Sequence, residues 1–135
     1  MTNGEFTETL SSGGKLVVSA KGWNIQYYFP GLDRRYNGTF FRISGNDIDK
    51  YIDAWQNNFA KYLEYKKTLP VGMEFHTVGE MHMNIYVNRG CGYSGVCLTS
   101  YHMPVNDESK LKKIIEDYRN AKIRAVEIQN LLKTL

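Results

Sequence analysis

The sequence predicts an α+β protein with two layers, in which two long helices lie on one face of a mainly antiparallel sheet. We expect about six strands in the order βββα–βββα. Short segments that alternate apolar and polar residues occur in two groups of three, and each group is followed by a segment with apolar residues at helical spacing. Gly, Pro and Asn separate these segments, as they do in turns.

Order is expected to begin near Lys15. The first 14 residues are rich in Gly, Ser and Thr, which is typical of a flexible N-terminal arm. The remaining residues, 15–135, have the length of a single α+β domain. Hydrophobic residues make up 42% of the chain and charged residues 23%, which is an ordinary globular balance.

The segment KLVVSAKGWNIQYYF predicts a β-hairpin with a two-residue turn at Lys21 and Gly22. This turn gives the cross-strand pairs Ala20–Trp23, Val18–Ile25 and Leu16–Tyr27. One face of the hairpin is then apolar, while Asn24, Gln26 and Tyr28 lie on the other. A loop, FPGLDRRYNG, separates the hairpin from a third strand, TFFRIS.

The first helix is expected to start at Ser44 or Asn46, whose side chains suit an N-cap, and to end before Pro70. Its predicted core stripe has apolar residues at helical spacing: Ile48, Ile52, Trp55, Phe59 and Leu63.

The second half of the chain repeats this layout. The segment MEFHTVGEMHMNIYV predicts two strands broken near Gly79, and GVCLTSYHM predicts a third. A helix should follow Asn106 and run to the C-terminus. Its core stripe is predicted to contain Leu111, Ile115, Tyr118, Ala121, Ala125, Ile128 and Leu132.

The charge pattern argues against nucleic acid as the partner. The net charge is only +3, and no third of the chain is strongly basic. We also expect no membrane association, because no apolar run approaches the roughly 20 residues of a spanning helix. The start of the sequence lacks the pattern of a signal peptide, so a cytoplasmic location is expected.

The two cysteines, Cys91 and Cys97, flank a glycine-rich turn, and we expect them to be reduced and structural. A zinc site would need a second close pair of ligands, so no metal and no cofactor are expected. A catalytic cysteine would need a base such as His102 and a third group to orient it, and the sequence gives no sign of that group. Phosphate-binding loops, HExxH and nucleophile-elbow motifs are absent, and we therefore expect no enzymatic activity.

The strand faces that point away from the helices carry amide, tyrosine, arginine and histidine side chains instead of the usual Lys, Glu and Thr. Such side chains are typical of recognition surfaces, because they combine stacking area with adaptable hydrogen bonding. The predicted binding residues of the sheet face are Asn24, Gln26, Tyr28, Arg42, His82, Asn84, Tyr86 and Asn88, with Phe40 beside them. The loop after the hairpin adds Arg34, Arg35 and Tyr36. An ordinary solvated face is the alternative interpretation.

These features predict a small, non-catalytic cytosolic binding protein that engages a protein partner. We expect an inhibitor or neutraliser, of the immunity type or of the type by which phages and mobile elements block a host system. The first alternative is a small-molecule or nucleotide-binding module, with the base stacked on Tyr28 or Tyr86. A further alternative is single-stranded nucleic-acid binding on the aromatic sheet. The sequence leaves the oligomeric state open, and a homodimer is compatible with it.

Overall fold

A computed structural model of the chain describes residues 4–29, 39–90, 93–99 and 104–135. The fold is α+β, as predicted, with two antiparallel sheets and two long helices among these residues. The seven strands are β1 (Glu5–Thr9), β2 (Lys15–Ser19), β3 (Gly22–Phe29), β4 (Thr39–Ser44), β5 (Phe75–Val78), β6 (Asn84–Val87) and β7 (Gly95–Cys97). The helices are α1 (Ile48–Thr68) and α2 (Glu108–Leu132), and short 3-10 turns occupy Gly45–Asp47 and Glu80–His82.

The prediction of one six-stranded sheet is wrong. Strands β1–β2–β3–β4 form a four-stranded sheet, and β5–β6–β7 form a separate three-stranded sheet. Alternation along a strand fixes which way its side chains point, but it does not specify which strand lies alongside, and this is why the sequence did not separate the sheets.

The contacts within the chain divide it into two compact units. The first contains Met1–Ile48 and Lys113–Leu135, and the second contains Asp49–Lys112. The prediction that residues 15–135 form a single domain stays a prediction.

The N-terminal segment that was expected to be a flexible arm contains strand β1. It pairs antiparallel with β2 over its whole length, from Glu5 opposite Ser19 to Thr9 opposite Lys15. The carboxylate of Glu8 also accepts hydrogen bonds from the Arg124 guanidinium at 2.7 to 3.1 Å. This strand buries few of its side chains, and the hydrophobic pattern of the sequence therefore did not reveal it.

The β2–β3 hairpin forms as predicted, but its register differs by two residues. Val18 lies opposite Trp23 and Leu16 lies opposite Ile25, because Ala20 and Lys21 make the turn and Gly22 begins β3. A shift of two residues keeps every side chain on its predicted face, since the side-chain period of a strand is two.

In the first unit, the apolar face of the four-stranded sheet packs against α2. Leu16, Val18 and Ile25 are almost completely buried there, as are Tyr118 and Ala125 of the helix. Further polar contacts join the layers, in addition to the Glu8–Arg124 pair. The Tyr27 hydroxyl donates to the Tyr118 hydroxyl at 3.1 Å, and Asp117 accepts from Ser11 Oγ and the Ser12 amide at 2.7 and 2.6 Å. The predicted core stripe of α2 is confirmed at every position.

The core face of α1 is rotated slightly from the prediction. Ile48, Ile52, Trp55 and Phe59 are buried as expected, but Leu63 is 41% exposed and Tyr62 is only 2% exposed. The last two buried residues of the stripe, Phe59 and Tyr62, are therefore three positions apart instead of the predicted four. The helical period of 3.6 residues allows either spacing on one face.

In the second unit, the buried Asn58 of α1 holds the turn between β5 and β6. Its Nδ2 donates to the Glu80 carbonyl at 3.0 Å, and its Oδ1 accepts from the Glu80 amide at 2.9 Å. A Cβ atom on Gly79 would overlap the Asn58 amide. Glycine is therefore required at this close approach.

Replacing Asn58 by Ala should lower the free energy of unfolding by about 2–4 kcal/mol, because a buried side chain and its two hydrogen bonds to the Glu80 backbone would be lost, and the Glu80 carbonyl would retain the Met83 amide as a donor. Urea denaturation followed by circular dichroism measures the change. The neighbouring Asn57 is the matched control: it is exposed and, among the described residues, donates one bond, of 3.4 Å, to the Glu80 carboxylate. Asn57→Ala should cost about 0.5 kcal/mol or less, and equal losses for the two variants would contradict the assigned role of Asn58.

Candidate functional site

Two exposed aromatic rings lie side by side on the open face of the four-stranded sheet. Tyr28 and Phe40 are direct cross-strand partners, with ring centroids 4.9 Å apart and planes inclined by 48°. Tyr28 is 56% exposed and Phe40 is 72% exposed. A pair of large rings on a strand face with this exposure is unusual, because burial of such rings contributes substantially to stability.

A row of polar side chains adjoins the two rings. Lys15 lies opposite Gln26, and Gln26 lies opposite Arg42, so the amide sits between two cations on the same face. Within the described part of the chain, neither Lys15 nor Arg42 forms an ion pair.

We call these five residues, Lys15, Gln26, Tyr28, Phe40 and Arg42, the Tyr28–Phe40 patch. No carboxylate lies in its two cross-strand rows. The patch therefore combines apolar ring surface with positive charge.

Asn24 lies two residues before Gln26 on β3 and therefore on the same face of the sheet as the patch. It lies opposite Val17, which is buried, and is itself half-buried. Its Oδ1 atom is buried and accepts no hydrogen bond from the residues that the structure describes. Asn24 thus shares the predicted face but contributes little accessible surface to it.

The other predicted residues of the face lie on the three-stranded sheet. Asn84 and Tyr86 share one face of β6 and are half-buried. His76 of β5 stacks on Tyr86 with centroids 4.5 Å apart and planes inclined by 13°, and its Nε2 lies 2.9 Å from Asn84 Oδ1. The Arg89 guanidinium carbon lies 4.3 Å from the centre of the Tyr86 ring and 5.9 Å from that of Tyr93.

The structure corrects the placement of His82. It does not lie on a strand but in the 3-10 turn Glu80–His82, where Met81 and His82 have φ values of 53° and 57°. Strand alternation therefore says nothing about its direction. Its side chain is exposed.

Asn88 has a structural contact that the sequence did not indicate. Its φ is 58°, just past the end of β6, and its Nδ2 donates to the carbonyls of Pro70 and Met73 at 3.1 and 3.0 Å. This amide ties the segment after α1 to the strand, and its donor group is therefore occupied within the fold.

Six of the predicted binding residues thus lie on two different sheets, one in each unit. Asn24, Gln26, Tyr28 and Arg42 share a face of the first sheet, and Asn84 and Tyr86 share a face of the second. Arg34, Arg35 and Tyr36 of the loop lie outside the described residues.

Several residues of the two faces were not among the predicted binding residues. Lys15, His76, Arg89 and Tyr93 become neighbours of predicted residues only through strand pairing and the turn after β6. For Lys15 the hairpin alternation already placed it on the same face as Gln26, which is a signal that could have identified it.

The chemistry of Cys97 suits a structural role. The thiol is buried, and this burial raises its pKa to about 11, although the charge of Arg89 partly opposes the shift. A thiol with this pKa is protonated and weakly nucleophilic at neutral pH. Cys91 and His102 lie outside the described residues.

Among the residues that the structure describes, no three His, Cys, Asp or Glu side chains are grouped as metal ligands would be. Over the same residues, neither helix combines the length and the apolar character that a membrane span requires. No protein-family model, curated protein or solved structure matches the chain.

The raised pKa of Cys97 predicts slow alkylation. In a Cys91→Ser variant, which leaves Cys97 as the only thiol, iodoacetamide at pH 8 should react at least about tenfold more slowly than with free cysteine. The rate should rise steeply toward pH 11, because only the thiolate reacts. Mass spectrometry of the modified protein measures the rate, and unfolding in urea should abolish the protection. A rate equal to that of free cysteine at pH 8 would contradict this account.

Proposed function

We propose that this protein is a non-catalytic binding protein that captures a protein partner on the Tyr28–Phe40 patch. The observation that carries the proposal is the exposure of two neighbouring rings beside an arginine on an open sheet face. Tyr, Phe and Arg are enriched at protein interfaces, where a few such side chains supply most of the binding energy.

The charges of the patch indicate the chemistry of the partner. Lys15 and Arg42 flank Gln26, and no carboxylate in the two rows compensates them. A protein segment that presents Asp or Glu next to an apolar side chain would complement both parts of the patch. The rings would bind the apolar group, and the cations would raise the association rate and fix the orientation.

Binding of this kind fits an inhibitor or neutraliser, since a small domain that covers a partner's surface can block it without chemistry of its own. Membership of an immunity-type or a phage or mobile-element anti-defence class stays a prediction of the sequence. So do the absence of enzymatic activity and the cytoplasmic location.

A nucleotide ligand is a less favoured candidate. The Tyr86 ring already contacts His76 at 4.5 Å and Arg89 at 4.3 Å, so stacking a base there would compete with contacts inside the protein. Tyr28 is more accessible and would be the tyrosine to test.

Selection from a displayed random-peptide library tests the proposal. The protein should enrich peptides that combine Asp or Glu with aromatic or aliphatic residues. A Tyr28→Ala, Phe40→Ala and Arg42→Ala triple variant should bind the selected peptides at least about a hundredfold more weakly, because each interface anchor of this kind contributes roughly 1–2 kcal/mol or more. Isothermal titration calorimetry or fluorescence anisotropy measures the affinities, and added salt should weaken binding to the native protein.

The matched control replaces Tyr86, Arg89 and Tyr93 by Ala, which removes two rings and an arginine from the second sheet and the turn after β6. It should leave the affinity within about threefold. Undiminished binding by the first triple variant, or loss confined to the second, would exclude the Tyr28–Phe40 patch as the binding surface. A thermal shift with nucleotides that Tyr28→Ala abolishes would instead support the nucleotide alternative.

A further inference from the structure

The face of α2 opposite its buried stripe carries an ordered series of exposed side chains. They follow one another at alternating spacings of three and four residues, the pattern that keeps side chains on one face of a helix. The series consists of Glu116, Arg119, Ile123, Val126, Asn130 and Lys133, all of which are exposed. We call it the outer stripe of α2.

The centre of the outer stripe is apolar and its ends are charged. Ile123 is 62% exposed and Val126 is 56% exposed, with one helical turn between them. β-branched apolar residues lower helix propensity slightly and gain nothing from exposure to water. Two of them one turn apart form an exposed apolar patch, which a second helix would bury.

The stripe is complementary to itself when two copies run antiparallel. If a two-fold axis passes at the level between Arg124 and Ala125, Ile123 of each copy lies opposite Val126 of the other. The same axis places Arg119 opposite Asn130 and Glu116 opposite Lys133. Each pair occurs twice, as a two-fold interface requires.

Every one of these pairs is chemically favourable. The apolar side chains meet at the axis, the Arg119 guanidinium faces an amide oxygen, and a carboxylate faces an ammonium group at each end. A parallel arrangement would instead set Glu116 against Glu116 and Lys133 against Lys133. Charge complementarity thus selects the antiparallel arrangement.

The polar members of the stripe are available for these contacts. Within the described residues, the side chains of Glu116, Arg119 and Lys133 form no ion pair, and that of Asn130 forms no hydrogen bond. The neighbouring Arg124, in contrast, forms ion pairs with Glu8 and Glu127 of the same chain, and it is not a member of the stripe.

We propose that two copies of this protein associate through the outer stripe of α2, as an antiparallel helix pair about a two-fold axis. This proposal is separate from the proposed function, because none of the six residues belongs to the Tyr28–Phe40 patch. One helix pair of about five turns buries less surface than the roughly 1,200–2,000 Å² of a stable interface. The dimer is therefore reversible, with a dissociation constant between about 1 µM and about 1 mM.

Charge exchange at the ends of the stripe tests the arrangement. In a Glu116→Lys homodimer, the new lysine would face Lys133, and in a Lys133→Glu homodimer two glutamates would face each other. Each single variant should dimerise at least about tenfold more weakly than the native protein, because two attractive contacts become repulsive. Sedimentation velocity over a range of protein concentrations measures the association.

Recombining the charges should restore the dimer. An equimolar mixture of the two single variants forms a heterodimer with opposite charges at both ends, and the double variant Glu116→Lys/Lys133→Glu forms a homodimer of the same kind. Both should associate with an affinity within about threefold of the native protein. Restoration on mixing also shows that neither single variant has lost its fold.

Two substitutions test the centre of the stripe against an exposed apolar residue elsewhere on the helix. Ile123→Gln should weaken dimerisation by about tenfold, because the dimer contains two Ile123–Val126 contacts and the substitution removes both. Leu131→Asn removes a leucine that is 49% exposed but does not belong to the stripe, and it should leave dimerisation unchanged. The proposal is overturned if the native protein stays monomeric up to about 1 mM, or if the mixed variants fail to regain the association that each has lost.

Discussion

The arrangement of the first unit depends on one row of cross-strand contacts in its sheet. Leu16 of β2, Ile25 of β3 and Ile43 of β4 are direct partners, and each is at most 1% exposed. Burial of this row fixes the register, since a slip of one residue would turn every apolar side chain to the open face. The neighbouring row of Lys15, Gln26 and Arg42 must then point the opposite way, and so must Tyr28 and Phe40. The exposed patch is a consequence of the core that lies behind it.

Helix α2 of the first unit has an inner face that packs on the sheet and an outer face that carries exposed apolar side chains. Its inner face carries the buried Tyr118 and Asp117, whose hydrogen bonds to Tyr27 and to the Ser11–Ser12 turn set the helix against the sheet. These contacts fix the rotation of the helix about its axis. Because a helix has a period of 3.6 residues, the same rotation determines that Ile123 and Val126 face outward. The interior contacts of the unit therefore define both exposed surfaces on which the two proposals rest.

Features that depend on neighbours along the chain were predicted more accurately than those that depend on distant partners. The core stripe of α2 and the two faces of the β2–β3 hairpin follow from periodicity, and both are confirmed. Strand β1 was not predicted, because its order comes from pairing with β2 and from the Glu8–Arg124 contact, more than 100 residues away. The position of His82 was wrong for a related reason. A break was predicted near Gly79, but the turn that the buried Asn58 amide holds at Glu80 extends to His82, which was predicted to lie on the following strand.

The sequence by itself determined the α+β class, the extent of the helices and the direction of most strand side chains, because each follows from hydrophobic periodicity over a short segment. Only the tertiary structure decided that there are two sheets, which strands are neighbours, and which predicted binding residues share a face. It assigned Tyr28 and Tyr86 to different sheets and placed Tyr28 on the same sheet face as Phe40 and Arg42. The physical reason is that strand pairing uses backbone hydrogen bonds, which are nearly the same for every residue, so the choice of partner is made by the packing of the whole unit.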